Sequence, residues 1–536
     1  MSSQSTISQG PPARATLWGR ALVLAIAVGA IAWFAFFAKS LLLKYPPVGP
    51  DEAFFADPAI NLAHHGSMST DLLDGTMPGI GQRTYWMPPV YFLYLAAIFR
   101  FSGDGVVAVR LASIAAALAA LVLTYLVALR TGLGRWISLL APALVAIDAV
   151  FLRGALMGRM DMLALAFILL ALWLATGPAG LWNSFFTGMA CALAVLTHPI
   201  GVVAGVSVLG WRLAWRDTRT LRALAPLLAG MIVPMLAWLA YIAQDPSSFL
   251  AQFGGQLIRK SVAHPSLDLY ATCLYRLVAQ YTFANGRLMD AVWALPLWIL
   301  GILGLGDAEV RTRGEDSPAR RSLFLLYACQ FLIMLAVFLS NGEMWYALYV
   351  IPITAIGLCH LVNNCRPITA FSLRTVATGV VVLWIGGFVL SNLQHVARLN
   401  HLQNVVRRSE TDYAEWSAEI SRRIPLNSTL LLSIIPDPYF GLRSRSDLSL
   451  RECLPDRIPV DRDAYWQYMS QADYVILGAG FNSPTLAVQE FLRSHGTLVD
   501  SVGNADTGYF ARVYRVNKPN PVASQAGGTS TTRSAK

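Results

Sequence analysis

Apolar residues run in long blocks from Ala21 to about Ser391, and polar residues are confined to the breaks between them. After a first block from about Arg20 to Leu43, the runs are 88–101, 105–129, 136–152, 160–176, 184–197, 199–213, 223–243, 289–305, 322–340, 344–362 and 373–391. A hydrocarbon core of about 30 Å takes roughly 20 helical residues to cross, so most of these blocks read as transmembrane helices. Run 88–101 is shorter, opens on Pro88-Pro89 and carries Arg100 near its end, which reads as an interfacial or re-entrant helix. The stretch 184–213 must form two short helices broken at Pro199, which a membrane tolerates only inside a bundle.

Charge placement sets the topology. Arg14 and Arg20 keep the start of the first helix cytoplasmic, because basic residues stay inside. If run 88–101 does not cross, arginine-bearing turns fall on the cytoplasmic side at Arg130/Arg135, Arg212 to Arg222, Arg311 to Arg321 and Arg366/Arg374. That pattern predicts an all-α polytopic membrane bundle of about eleven helices. Its expected parts are a cytoplasmic tail at 1–19 and a membrane domain at 20–391, with outer loops at 44–104 and 244–288.

From about Asn392 the composition becomes that of a soluble domain on the outer side. An amphipathic helix through Trp416 to Arg423 leads to strands at Thr429–Ile434 and Tyr474–Leu477. A helix at Thr485–His495 and strands near Thr497–Ser501 and Tyr509–Val513 follow. The alternation predicts a small α/β domain over 392–517. Residues 518–536 are rich in Ser, Thr and Gly and read as a disordered tail.

Composition agrees with the pattern. Of 536 residues, 55% are hydrophobic and 13% charged, with mean hydropathy +0.50, whereas soluble domains carry about 25% charged residues. The net charge of +10 fits cytoplasmic loops and anionic head groups. No zinc-finger spacing or RNA-binding signature accompanies it, which argues against nucleic acid as a partner. The first apolar block is too long for a cleaved signal peptide. Cys191, Cys329 and Cys359 lie in apolar runs as packing residues, while Cys273 and Cys453 fall in outer segments where pairing is open to them.

Three places could carry chemistry. The first outer loop contains Gly49-Pro50-Asp51-Glu52-Ala53-Phe54-Phe55-Ala56-Asp57. In the plainest reading Asp51 caps a helix, Glu52 suits its first turn, and Phe54, Phe55, Ala59 and Leu62 mark a helix lying on the membrane. Alternatively, adjacent carboxylates at a membrane surface act as a general base or hold a cation. Arg159-Met160-Asp161 stands at the start of run 160–176, where Asp161 is either another cap or an active-site group. Thr197-His198-Pro199 lies between two runs; a histidine there is either a hydrogen-bonded core group or part of the site. The topology puts all three on the outer face. Arg83, Arg153, Arg159, Arg259, Lys260, Arg276 and Arg287 are the cations there, suited to a phosphate group, and Tyr346 joins the substrate-binding candidates. His64-His65 alone make a weak metal signal.

With these residues in view, the chain resembles the membrane glycosyltransferases of the C superfamily, above all the protein O-mannosyltransferases and the lipid A aminoarabinose transferases. The matching text is Asp51 to Asp57, Asn61-Leu62-Ala63-His64-His65-Gly66, Met87-Pro88-Pro89-Val90-Tyr91, Val109-Arg110-Leu111-Ala112-Ser113, Arg159-Met160-Asp161-Met162-Leu163 and Ala192 to Gly201. The resemblance implies a polyprenyl-phosphate sugar donor and a hydroxyl acceptor on a lipid, glycan or protein. It further implies transfer with inversion, Asp51 as base with Glu52 beside it, and Asp161 as a second active-site carboxylate. A divalent metal is allowed as cofactor. Trp86 and Met87 stand where relatives often carry Glu-Lys as metal and phosphate contacts, and His198-Pro199 where they often have Lys-Gly-Pro. The expected clamp therefore shifts to His198, Arg83, Arg159, Arg259 and Lys260. Two other readings are an oligosaccharide or O-antigen ligase with a lipid-diphosphate donor, and a flippase or transporter. Transporters tend to show internal repeats, and no clear repeat is present in this chain.

Overall fold

The computed structural model describes residues 17–178, 180–214, 221–260, 296–305, 326, 330, 332, 344–364, 373–399, 410–453, 462–478 and 486–518. Helices α1 (Leu17–Leu41), α2 (Pro50–His65), α3 (Val90–Ser102) and α4 (Val106–Arg130) are followed by α5 (Arg135–Ser138), α6 (Leu140–Ala146) and α7 (Ala149–Leu156). Next come α8 (Asp161–Ala175), α9 (Leu181–Thr197), α10 (Val202–Ala214), α11 (Leu221–Ile242) and α12 (Pro246–Lys260). The membrane part ends with α13 (Pro296–Leu305), a 3-10 turn at Met344–Tyr349, α14 (Ile351–Asn364) and α15 (Leu373–Leu399).

Among the described residues, Leu17–Leu41, Val106–Arg130, Leu224–Ile242 and Gly379–Arg398 are long and apolar enough to cross a membrane, and a bent pair makes up to 5 spans. Six shorter apolar helices accompany them, Asp161–Ala175 and Leu181–Thr197 among them, so the expected count of about eleven spans is not reached on length alone. Run 322–340 lies largely outside the described residues. The chain is nonetheless a multi-pass membrane protein: α8 is apolar around its whole circumference and buried along most of its length, as a helix in the middle of a bundle must be.

One break was legible and one was not. The chain kinks at His198-Pro199, where a 3-10 turn, Pro199–Gly201, joins α9 to α10. Run 136–152, read as a single span, is instead bent by 66° between α6 and α7. The cause is Asp148, whose carboxylate accepts the Val150 and Phe151 amides and starts a new helix in mid-run. Asn392 of α15 receives the Ala149 amide at 2.8 Å, so the bend is held from outside as well.

The loop after α1 is a built structure. α2 starts at Pro50 behind Gly49 and stops at Gly66, which takes the left-handed conformation. The sequence pattern suggested a helix lying on the membrane, but residues 52 to 61 are all buried. Trp86 stacks on Phe55 and meets Phe54 edge-on. Gln252 of α12 holds the returning strand of the loop, accepting the Tyr85 amide at 2.7 Å and donating to the Pro78 and Arg83 carbonyls.

The C-terminal unit begins with α16 (Glu410–Arg423) and carries a mixed sheet in the order β2-β1-β3-β5-β4. β1 (Thr429–Ser433) pairs in parallel with β2 (Ser449–Glu452) and with β3 (Tyr474–Gly478). β5 (Tyr509–Val516) runs antiparallel to β3 and to β4 (Gly496–Asn504). Helices α17 (Tyr439–Leu442), α18 (Arg462–Ser470) and α19 (Leu486–His495) connect them. β2 and α18 had no counterpart in the sequence reading: Ser449–Glu452 is a four-residue strand of mixed polarity, too short to show a period. This unit rests on the first loop. The Asp437 amide donates to Val48 O at 2.9 Å and the Glu452 amide to Leu72 O at 3.0 Å.

Candidate active site

Asp51 is the second residue of α2, and its carboxylate makes no cap. It reaches across to Arg159 and pairs with its guanidinium Nη1. Asp161 is likewise no cap, since Met160 occupies the N-cap of α8. Its Oδ2 accepts from Arg159 Nε at 3.0 Å and its Oδ1 from the Tyr349 hydroxyl at 3.2 Å. One guanidinium thus bridges two carboxylates whose Cα atoms belong to different helices. The pair is asymmetric. The Asp51 side chain is 45% exposed, that of Asp161 only 5%. Of the two, Asp51 is the one open to an incoming molecule.

His198 closes the other side. Its Nδ1 accepts the Ile200 amide at 3.0 Å, so in the neutral ring the proton sits on Nε2. The ring lies edge-on to Tyr346, with centroids 5.6 Å apart, and near Tyr349 at 6.4 Å. Asp161 feels His198 electrostatically. Tyr346 and Tyr349 reach the site because the chain enters α14 through a 3-10 turn, which sets both rings toward α8 and His198.

Glu52, next to Asp51, points the opposite way. It is 1% exposed. Arg110 Nε and Nη2 each donate to it at 2.8 Å, the Gly158 amide donates at 2.9 Å, and the Gly49 amide donates at 3.0 Å. Arg110 itself is 0% exposed and also donates to Leu42 O. This buried pair ties α1, α2 and α4 to the Gly158-Arg159 turn. Gly158 cannot be replaced without displacement: a Cβ there would lie 2.2 Å from Val109 Cγ1 and 3.0 Å from Glu52 Oε1.

The structure therefore brings Asp51, Arg159, Asp161, His198 and Tyr346 together, with Glu52 behind them. Arg83 lies elsewhere, half-buried on the rim of a groove of about 630 Å³ bordered by Leu62, Leu93, Leu196, Trp238 and Gln244. Arg259 and Lys260 end α12, but their side chains fall outside the described residues, as do Arg276 and Arg287. His64 is exposed and faces Asp104 at 3.4 Å, away from the other site residues. Cys453 is buried and Cys273 lies outside the described residues. Tyr349, Arg110 and Gly158 were missed as site residues. Tyr349 stands three residues after Tyr346 in an aromatic run, and that spacing was its available signal.

Asp51 and Asp161 are the carboxylates this site would offer a divalent metal. Arg159 already fills the space between them with a fixed positive charge. Among the described residues no group of three His, Cys, Asp or Glu side chains gathers. With Arg159 in place a divalent cation does not fit between Asp51 and Asp161.

Compared by sequence, the chain matches no protein-family profile and no curated protein. Compared by structure, it is similar to ArnT from Cupriavidus metallidurans bound to undecaprenyl phosphate, with a TM-score of 0.57 at 16% identity, over 92% of this chain and 97% of that one. It is also similar to the Archaeoglobus fulgidus oligosaccharyltransferase tethered with an acceptor peptide, with a TM-score of 0.53 at 12% identity, over 85% of this chain and 69% of that one. Covering 92% of this chain, the likeness to ArnT extends into the C-terminal unit as well as the membrane helices. On that evidence the chain has the fold of the C-superfamily membrane glycosyltransferases.

Proposed function

We propose that this protein transfers a sugar from a polyprenyl-phosphate carrier to an acceptor hydroxyl at the outer face of the plasma membrane. The observation that carries the reading is the half-exposed Asp51 carboxylate, held by Arg159 beside a buried Asp161. A carboxylate so placed takes the proton from the acceptor hydroxyl as that oxygen attacks the anomeric carbon. The C–O bond to phosphate breaks on the opposite face, the phosphate leaves with the bonding pair, and the configuration inverts. Arg159 and the Nε2–H of His198 are the donors within the site that would meet the phosphate oxygens. The isoprenoid chain of the carrier would lie along the groove that Leu62, Leu93, Leu196 and Trp238 border, with Arg83 on its rim. The shared fold with ArnT, solved with undecaprenyl phosphate, supports the donor class. A topology of about eleven spans, with the loop 44–104, the loop 244–288 and the unit 392–517 all outside, completes the reading.

The test is a transfer assay with purified full-length protein and labelled polyprenyl-phosphate sugars, run beside lipid-diphosphate oligosaccharides. Turnover of the monophosphate donors with release of polyprenyl phosphate is expected. Turnover of the diphosphate donors alone would replace this reading with that of an oligosaccharide ligase. Movement of an intact lipid-sugar across vesicles without transfer would replace it with that of a flippase.

A further inference from the structure

The first loop is bound to the C-terminal unit at a second buried carboxylate, Asp57, which the mechanism above does not use. Asp57 lies six residues after Asp51 on α2 and is 2% exposed. Its Oδ2 accepts from Thr70 Oγ1 at 2.7 Å, the Asp71 amide at 2.9 Å and the Leu72 amide at 3.2 Å. Its Oδ1 faces the C-terminal unit, accepting from the Tyr439 hydroxyl at 2.6 Å and Arg443 Nη1 at 3.2 Å. Arg443 Nη1 also donates to Tyr439 Oη at 2.8 Å, and its Nε approaches Asp104 at 3.9 Å. Two backbone bonds flank this contact, Asp437 N to Val48 O just before α2 and Glu452 N to Leu72 O beyond it.

We infer that Tyr439 and Arg443 are positioning residues for the transfer reaction: through Asp57 they set the rotation of α2 and hence the direction of the Asp51 carboxylate. This rests on the function proposed above. A helix turns about 100° per residue as a stiff unit, so a carboxylate gripped at Asp57 fixes the aim of Asp51 about 9 Å away along the axis. The grip is directional because one oxygen is bound by the loop and the other by the C-terminal unit. Among the described residues, the cation on Asp57 comes from that unit rather than from the membrane domain. Arg159 holds Asp51 only at its tip, and Asp51 is the more exposed partner. The Glu52–Arg110 pair anchors the first turn of α2, and the grip on Asp57 is the second constraint, about one and a half turns further on, that fixes its rotation.

The experiment uses the full-length protein with Tyr439→Phe, Arg443→Met and Arg443→Lys. Hydrogen exchange of residues 49–58 is followed against residues 181–197 of α9 as control, and kcat and KM are measured with a polyprenyl-phosphate sugar. Both Tyr439→Phe and Arg443→Met should speed exchange at 49–58 and leave α9 unchanged. The kcat should fall about 10- to 100-fold, the scale of a small misplacement of a reacting group, with KM for the donor within about twofold. Arg443→Lys should recover part of the loss. A purely architectural contact would lower the melting temperature and leave kcat per folded molecule and exchange at 49–58 as in wild type, which would overturn the inference. If wild-type protein transfers no sugar from any such donor, the proposed function fails by itself, and the exchange measurement alone decides whether the C-terminal unit sets α2.

Discussion

Asp51 and Glu52 are adjacent in the chain and opposite in role, because α2 turns one outward and the other into the bundle. Glu52 satisfies four donors in a place water does not reach, whereas Asp51 meets Arg159 at the rim. Replacing Asp51 by asparagine keeps size and helix compatibility and removes basicity. Asp51→Asn should leave expression and melting near wild type while transfer falls about 10²- to 10⁴-fold, the usual worth of a general base. Near-normal turnover would remove Asp51 from the chemistry. Glu52→Gln should behave differently. It uncovers the buried Arg110 charge, and breaking a buried ion pair costs about 3–5 kcal/mol. The loss should appear first in yield and melting temperature, read by thermal denaturation in detergent. The presence of a carboxylate pair was legible from Asp51-Glu52. Which of them faces the site was not, since that depends on where Arg110 and Gly158 lie in space.

The elements show the same division. Their long apolar blocks were readable because a membrane demands them, and the break at Pro199 because proline removes an amide. The bend at Asp148 escaped because an aspartate inside an apolar run reads as an oddity until its cap is seen. In the C-terminal unit, β1 and β2 bring Asp437 and Glu452 together, both buried. Burial pushes the Asp437 carboxyl up to about 6, against a hydrogen bond from Glu452 that pulls it down. Burial first, then the neighbouring Asp437, holds Glu452 well above the usual carboxylate range. Asp437 Oδ2 and Glu452 Oε1 have no donor of their own, so only a shared proton makes a hydrogen bond between them. Among the described residues the groups acting on the pair are Glu52 and Cys453; the nearest cations, Arg110 and Arg451, act on the neighbouring Tyr413 and Tyr468. Both carboxyls are raised, so the folded state binds the extra proton. The stability it supplies is complete below the unfolded values near 4 and is lost as pH rises through about 6 and beyond. The melting temperature of the C-terminal unit should therefore fall as pH rises from about 4 through about 6, and go on falling above that as Glu452 ionises. Asp437→Asn with Glu452→Gln should flatten that dependence. A melting temperature unchanged over that range in the wild type would mean that the pair does not share a proton.

At the scale of the whole molecule the prediction is one of sides. Ser67 follows α2 and Ser446 lies between α17 and β2, and both are exposed. Single cysteines at either place should react with an impermeant reagent from outside intact cells. Labelling only after permeabilisation would put the site and the C-terminal unit in the cytoplasm and defeat a donor taken from the outer leaflet. By itself the sequence determined the class of solvent, the order of apolar blocks, the soluble tail unit and the polar residues available for chemistry. Those follow from local rules: a helix in lipid must be apolar for about 20 residues, and a strand in a small domain repeats every second residue. Only the tertiary structure decided that α2 is buried rather than lying on the membrane. It alone showed that one arginine joins carboxylates more than a hundred residues apart, and that Tyr439 and Arg443 reach across to Asp57. Such pairings close long loops, and what selects them is the need of a buried charge for a partner. That need is written in each residue, but the address of the partner is not.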